Sequence, residues 1–229
     1  MRGLKKGFTL AEVLITLLII GVIASIVIPG LINNTNEAEY NASLKKIYAD
    51  LSNAIKIIQA NNGGSVSVGE ATYAFSWGPL RDEFCNVMTC VKKDTENNVF
   101  EGKIYKYYKS STNISTNTLN NTANNGAVLN NGTSLSFYSN GNCNGMNVNM
   151  CGSIYVDING PKGPNMYGKD LYFFWIKRLN GTGVFSIIPV GTQGASSFTL
   201  PNGCQSNSTD WSTSEGCTAW RLTSPDNMP

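Results

Sequence analysis

Residues 1–32 read MRGLKKGFTLAEVLITLLIIGVIASIVIPGLI: a short basic leader, a glycine, then an apolar run broken by one acid, Glu12. From Phe8 to Ile32 the only other polar side chains are the hydroxyls of Thr9, Thr16 and Ser25. At about 1.5 Å per residue such a helix outreaches a hydrocarbon core of roughly 30 Å, so the segment can span a membrane. A carboxylate in that setting is costly, needs a partner and marks a function. Arg2, Lys5 and Lys6 precede the run and Glu37 and Glu39 follow it. The positive-inside rule therefore leaves Met1 in the cytoplasm and carries the remainder across. An ordinary secretory signal has a shorter apolar region with a small-residue cleavage site behind it. Here the span runs on into a longer helix, so cleavage is expected before it.

Beyond the span, Tyr40, Leu44, Ile47, Tyr48, Leu51, Ile55 and Ile58 recur at helical spacing, with Lys45, Lys46, Asp50 and Lys56 outside the stripe. That pattern predicts a helix with one apolar face laid against a globular head. Asn61-Asn62-Gly63-Gly64 is its stop signal. Pro29 with Gly30 is expected to kink or locally melt it, because proline removes a backbone hydrogen bond and clashes with the preceding turn. The chain thus divides into a leader (1–7), a membrane-spanning helix (8–32), its amphipathic continuation (33–60) and a head (61–229).

Within the head, Pro79 to Met88 reads as a short helix with proline near its start. The Asn/Thr/Ser run between Ser110 and Asn125 has almost no apolar content and predicts an extended surface loop. Strand signals follow at Ala127–Leu129, Ser134–Tyr138, Ser153–Ile158, Asp170–Ile176 and Gly183–Ile188, with the turn Asn130-Asn131-Gly132 between the first two. An antiparallel meander packed on the stripe of the long helix is the simplest architecture, an α+β fold.

Composition argues for a structural protein. The chain has 17 basic and 15 acidic residues; loss of Arg2, Lys5 and Lys6 leaves 14 against 15, so the apparent basicity belongs to the leader. That balance gives no strong attraction for nucleic acid. With no histidine, His-based acid–base work, Ser-His and Cys-His nucleophiles and histidine-ligated metals are excluded. No phosphate-cradling glycine loop and no G-x-S-x-G occurs. The 29 asparagines give a polar, turn-rich surface on which N-x-S/T triplets such as Asn131-Gly132-Thr133 and Asn180-Gly181-Thr182 arise from composition.

The stretch Lys5-Lys6-Gly7-Phe8-Thr9-Leu10-Ala11-Glu12 resembles the type IV prepilin signal shared by type IV pilins and the pseudopilins of type II secretion systems. The resemblance implies cleavage by prepilin peptidase between Gly7 and Phe8, N-methylation of the new amino terminus at Phe8, and a role for Glu12 in assembly. There it would pair with the Phe8 amine of a neighbouring subunit, two charges costly alone in low dielectric and tolerable together. It also implies an antiparallel head packed on the long helix.

Six cysteines, all beyond the span, suit an oxidising compartment. Spacing makes Cys85–Cys90, Cys143–Cys151 and Cys204–Cys217 the natural local pairs among the many that six cysteines permit. Without histidine, these spacings are poor zinc signatures. The region from Cys204 to Cys217 resembles the C-terminal disulfide-bounded region of many pilins, a surface used for contacts. A second echo of the family is Asp157-Ile158-Asn159-Gly160-Pro161-Lys162-Gly163-Pro164-Asn165-Met166-Tyr167-Gly168-Lys169-Asp170. It looks like the D-x-N-G-x-x-G-P-N-x-x-G-x-D loop of many bacterial pilin-like proteins. Asp157, Asn159, Asn165 and Asp170 could offer oxygen ligands to a hard cation such as calcium, as a head-domain loop does in related pseudopilins. It is not an EF-hand: the glycines fall elsewhere and no bidentate Glu closes it. The commoner use of such residues is structural: the glycines supply positive φ, the prolines stiffen the connection, and Asp and Asn cap backbone turns, with no metal at all.

The reading is a non-enzymatic filament subunit of type IV pilus kind, with a pseudopilin of a type II secretion system as the nearest alternative. It would need no cofactor beyond that calcium. It would be anchored in the inner membrane with a periplasmic head, meet an assembly platform there, and reach the periplasm or cell surface within a filament of related subunits. A different class, a surface-displayed minor pilin binding DNA or another ligand, would use the 110–125 or 204–217 loops. Lys103, Lys106 and Lys109 interleaved with Tyr105, Tyr107 and Tyr108 hint at DNA, but such alternation also suits a half-buried strand.

Overall fold

One helix, α1 (Leu10–Asn61), carries both apolar patterns of the N-terminal sequence. It belongs to a computed structural model that describes residues 7–62, 77–93, 99–100, 103–114, 126–139, 149–160, 162–179, 184–191, 203–209 and 214–224. The helix ends at Asn61, where the Asn-Asn pair predicts its stop. It runs on through Pro29 and Gly30 without melting, since in a long apolar helix the neighbouring turns keep their own bonds when proline removes one.

Two compact units divide the chain, Met1–Glu39 and Tyr40–Pro229. In the first, Leu10–Ile28 is a helix long and apolar enough to cross a membrane. Its side chains are exposed all round, Ala24 alone being half-buried. In the second, the stripe is the spine of a core: Leu44, Ile47, Leu51, Ala54, Ile55 and Ile58 are buried, and Tyr40 and Tyr48 pack against the same cluster. Lys45, Lys46 and Lys56 face outward.

Short helix α2 (Trp77–Met88) buries Phe84 against Phe137, ring centroids 5.2 Å apart. It leads into strand β1 (Cys90–Lys93), and the Cys85–Cys90 disulfide staples the two. The main sheet adds β4 (Gly126–Leu129), β5 (Ser134–Ser139), β6 (Met150–Asp157), β7 (Leu171–Arg178) and β8 (Phe185–Pro189). All pairings are antiparallel, in the order β1-β4-β5-β6-β7-β8, so β4 to β8 form the expected meander. The α+β fold class follows.

The 110–125 loop is corrected in part. Asn113–Ile114 is a strand, β3, paired antiparallel with β2 (Tyr105–Lys106), and Ile114 is buried. Its isoleucine has found apolar company that a count of polar neighbours does not anticipate. Residues 115–125 lie outside the described residues.

The sheet is covered on both faces. Alternate residues of β6 and β7, Ile154, Val156, Tyr172, Phe174 and Ile176, join the α1 cluster. Tyr155, Leu171, Phe173 and Trp175 enter a second cluster with Tyr105, Tyr108, Ile114, Cys204 and Cys217. That second layer comes from the segment around β2 and β3 and from the C-terminal segment, which ends in helix α3 (Cys217–Thr223).

Candidate functional site

At the start of α1, Thr9 and Glu12 form a reciprocal cap. The Thr9 backbone N–H and hydroxyl both donate to Glu12 Oε2 at 2.8 Å, and the Glu12 N–H donates to Thr9 Oγ1 at 3.3 Å. The spacing Thr-x-x-Glu is that of a capping box, which satisfies amides that open a helix. The acid is thereby held at the first turn, beside Phe8, which is exposed. Gly7 precedes it with open space where a Cβ would stand. Gly7, Phe8 and Glu12 therefore sit together at the end of the apolar helix.

The disulfides give the head its fixed points. Cys85 is bonded to Cys90 and Cys204 to Cys217. Cys151 is disulfide-bonded too, and Cys143, its expected partner, lies outside the described residues. Around Cys217 the C-terminal segment is buried, with Glu215 accepting hydrogen bonds from the hydroxyls of Tyr155 (3.1 Å) and Tyr167 (3.3 Å). Thr218 Oγ1 accepts from the Phe173 N–H at 2.9 Å, tying the segment to β7.

The connection from Asp157 to Asp170 closes on itself. Ile158 N–H donates to Asp170 O at 2.9 Å, continuing the β6–β7 ladder. Asp170 is fully buried, and its oxygens accept the N–H groups of Asn165 and Met166, both at 2.7 Å. This is the turn-capping role of an aspartate. Gly160 and Gly168 adopt positive φ, +63° and +74°. A Cβ on Gly168 would also press on the Tyr108 ring and on Cys217 at 2.9 Å, so only glycine fits. Asp157, also fully buried, accepts the Tyr105 hydroxyl on Oδ2 at 2.6 Å. Burial, opposed by that hydrogen bond and reinforced by the Asp170 charge, pushes its carboxyl up to about 7.

Three oxygens of this connection have no such role. Asp157 Oδ1, Asn159 Oδ1 and Asn165 Oδ1 are buried and accept no hydrogen bond. A buried acceptor left unmade costs about 1–3 kcal/mol, so three in one loop call for an explanation. Other orphaned atoms, such as Asn41 Oδ1, Asn62 Nδ2 and Trp175 Nε1, are scattered singly. An all-oxygen set with one carboxylate fits a hard cation, which takes carboxylate, amide and backbone oxygens and water. Of the four expected ligands, then, Asp157, Asn159 and Asn165 have an oxygen to spare, whereas Asp170 is taken up by the backbone.

In the Lys/Tyr segment two of the three tyrosine rings are turned inward, while Lys109 is exposed. Tyr105 and Tyr108 are buried, Lys103 Nζ lies 5.7 Å from the Phe100 ring centroid and Lys109 Nζ lies 5.3 Å from that of Tyr108. Those two rings are not open to stacking on bases, whereas Tyr107 is half-buried. Sequence reasoning missed Tyr105 and Glu215 as buried polar partners; the only available signal was six consecutive apolar residues in β7, which mark a strand covered on both faces.

Residues 2–28 match the family model described as the prokaryotic N-terminal methylation motif. This chain is similar to prepilin-type proteins in that N-terminal segment. Its similarity to the type II secretion system core protein G is 38% identity over 58 residues in Escherichia coli, covering 25% of this chain and 39% of that protein. For the Aeromonas hydrophila protein of that name the figures are 36% over 58 residues, 25% and 40%. For that of Vibrio cholerae they are 36% over 85 residues, 36% and 58%. The chain thus spans from two fifths to under three fifths of the length of these relatives. No solved structure matches the chain.

Proposed function

We propose that the protein is a structural, non-enzymatic subunit of a pilus-like filament, processed by prepilin peptidase between Gly7 and Phe8 and N-methylated at Phe8. It waits in the inner membrane on the apolar half of α1, with its head in the periplasm, and is drawn by an assembly platform into a bundle of such helices. The observation that carries this is an apolar helix exposed on every side yet opening on a single acid, Glu12. Such a helix is stable only in lipid or among its own kind. In a helix bundle Glu12 meets the Phe8 ammonium of a neighbour, and the pair neutralises what neither could bury alone. The test compares membrane-bound and sheared-filament fractions of wild type and Glu12→Leu with the peptidase present. Wild-type filament yield from the variant would refute the assembly mechanism.

Within that reading, the similarity to type II secretion system core protein G favours a secretion-system pseudopilin over a surface pilus. Deleting the gene and following secretion of periplasmic proteins separates the two. We also infer that the β6–β7 connection takes a hard divalent cation such as calcium, held by Asp157, Asn159 and Asn165, with Asp170 shaping the loop. The cation would neutralise the buried Asp157 carboxylate and cross-link the connection. The support is the three orphaned oxygens.

A further inference from the structure

The connection does not stand alone; a second segment is docked on it. Lys106 N–H donates to Asn165 O at 2.8 Å and Tyr167 N–H donates to Lys106 O at 3.1 Å, so β2 and residues 165–167 run side by side. Lys109 N–H approaches Met166 Sδ at 3.2 Å, and the Tyr107 and Tyr167 rings stack with centroids 6.4 Å apart. The Tyr108 ring fills the space that Gly168 leaves open. Into this interface Tyr105 sends its hydroxyl to Asp157 Oδ2, leaving Oδ1 as the unpaired oxygen of the carboxylate. Tyr105 is fully buried, and its hydroxyl is the donor to that oxygen.

We propose that Tyr105, from outside the loop, is the positioning residue of the cation site, so that binding of a hard divalent cation and docking of residues 103–114 are one coupled event. This rests on the cation reading above. A partner that fixes a ligating carboxylate sets its orientation, and loss of such a partner weakens metal affinity by about ten- to a hundredfold. Coupling is reciprocal: if the Tyr105 contact raises affinity for the cation, the cation must strengthen the Tyr105 contact by the same factor. Asn165 takes part on both sides of this exchange, since its side-chain oxygen is buried without a partner and its carbonyl accepts the Lys106 N–H. The ordering of the segment that covers the second face of the sheet thus comes under the control of calcium outside the membrane.

The experiment uses the full chain in detergent micelles, stripped with chelator and titrated with calcium chloride, with magnesium chloride as comparator. Calorimetry gives the affinity, and amide hydrogen exchange reports residues 103–114. Wild type is expected to bind calcium, to lose binding on Asp157→Asn, and to slow exchange at Tyr105 to Tyr108 by about tenfold on binding. Tyr105→Phe, which keeps the ring against Phe100, is expected to bind about ten- to a hundredfold more weakly and to lose that protection. Absence of calcium binding by wild type overturns the cation reading itself. Binding by wild type with unchanged or tighter affinity in Tyr105→Phe, or with exchange of 103–114 indifferent to calcium, overturns the coupling alone. Should Tyr105→Phe fail to fold, the wild-type exchange comparison decides it.

Discussion

Leu17 and Leu51 lie on one helix, yet Leu17 is 61% exposed and Leu51 is fully buried. Residue type does not separate them; the residues around them do. About Leu17 the helix is apolar on every face, so no side of it is marked for a core, and the surface asks for lipid or for other helices. About Leu51 lysines and an aspartate occupy the far side, and a single stripe is left for the sheet to cover. Under the proposed function, the subunit lives first in a membrane and then in a bundle while keeping a folded head, and so needs both patterns in one element.

The largest effect expected concerns release of the first pattern. Gly7→Val should abolish removal of residues 1–7, because a β-branched side chain crowds a site shaped for glycine; N-terminal mass spectrometry of membrane fractions would show the leader retained. Next, Glu12→Leu should leave processing and insertion intact while filaments fall to background, with Glu12→Asp between, because only the bundle needs the acid.

The second pattern responds through stability. Leu51→Ala should lower the unfolding free energy of the head by roughly 2–5 kcal/mol, read by chemical denaturation of the full chain in micelles. Opening the Cys204–Cys217 loop with paired serines should cost about 3 kcal/mol, given 13 residues of separation. It should also expose the cluster that contains Tyr155 and Phe173, a change visible in tyrosine and tryptophan fluorescence. Smallest of all, Leu17→Ala should shift head unfolding by under about 0.5 kcal/mol, since that side chain touches no core. A loss as large as that of Leu51→Ala would break the contrast between the two halves.

Much of this was legible in the residues. The apolar run with its one acid, the stripe from Tyr40 to Ile58, its stop at Asn61 and five strands of the meander, each within a few residues, follow from local periodicity and turn chemistry. Less legible were the contacts that close the second face of the sheet. Asn113–Ile114 reads as loop because a two-residue strand has no period of its own, and it exists only because Tyr105–Lys106 offers it a ladder. The candidate cation residues were visible as a motif, but such residues serve turns alone more often than they hold a metal.

What the sequence by itself determined is therefore what short-range pattern sets: a membrane-competent helix with a single-acid signal, its amphipathic extension, and the order of the five meander strands. These are properties of which faces are apolar, and a period of 3.6 or 2 is enough to fix them. Only the tertiary structure decided that Asp170 is spent on the backbone of Asn165 and Met166 while Asp157, Asn159 and Asn165 keep an oxygen free. It alone brought Tyr105, 52 residues away, to Asp157. Hydrogen-bond partnership inside a core depends on which segments are packed together, and that is a long-range outcome of burying both faces of one sheet, which no local pattern encodes.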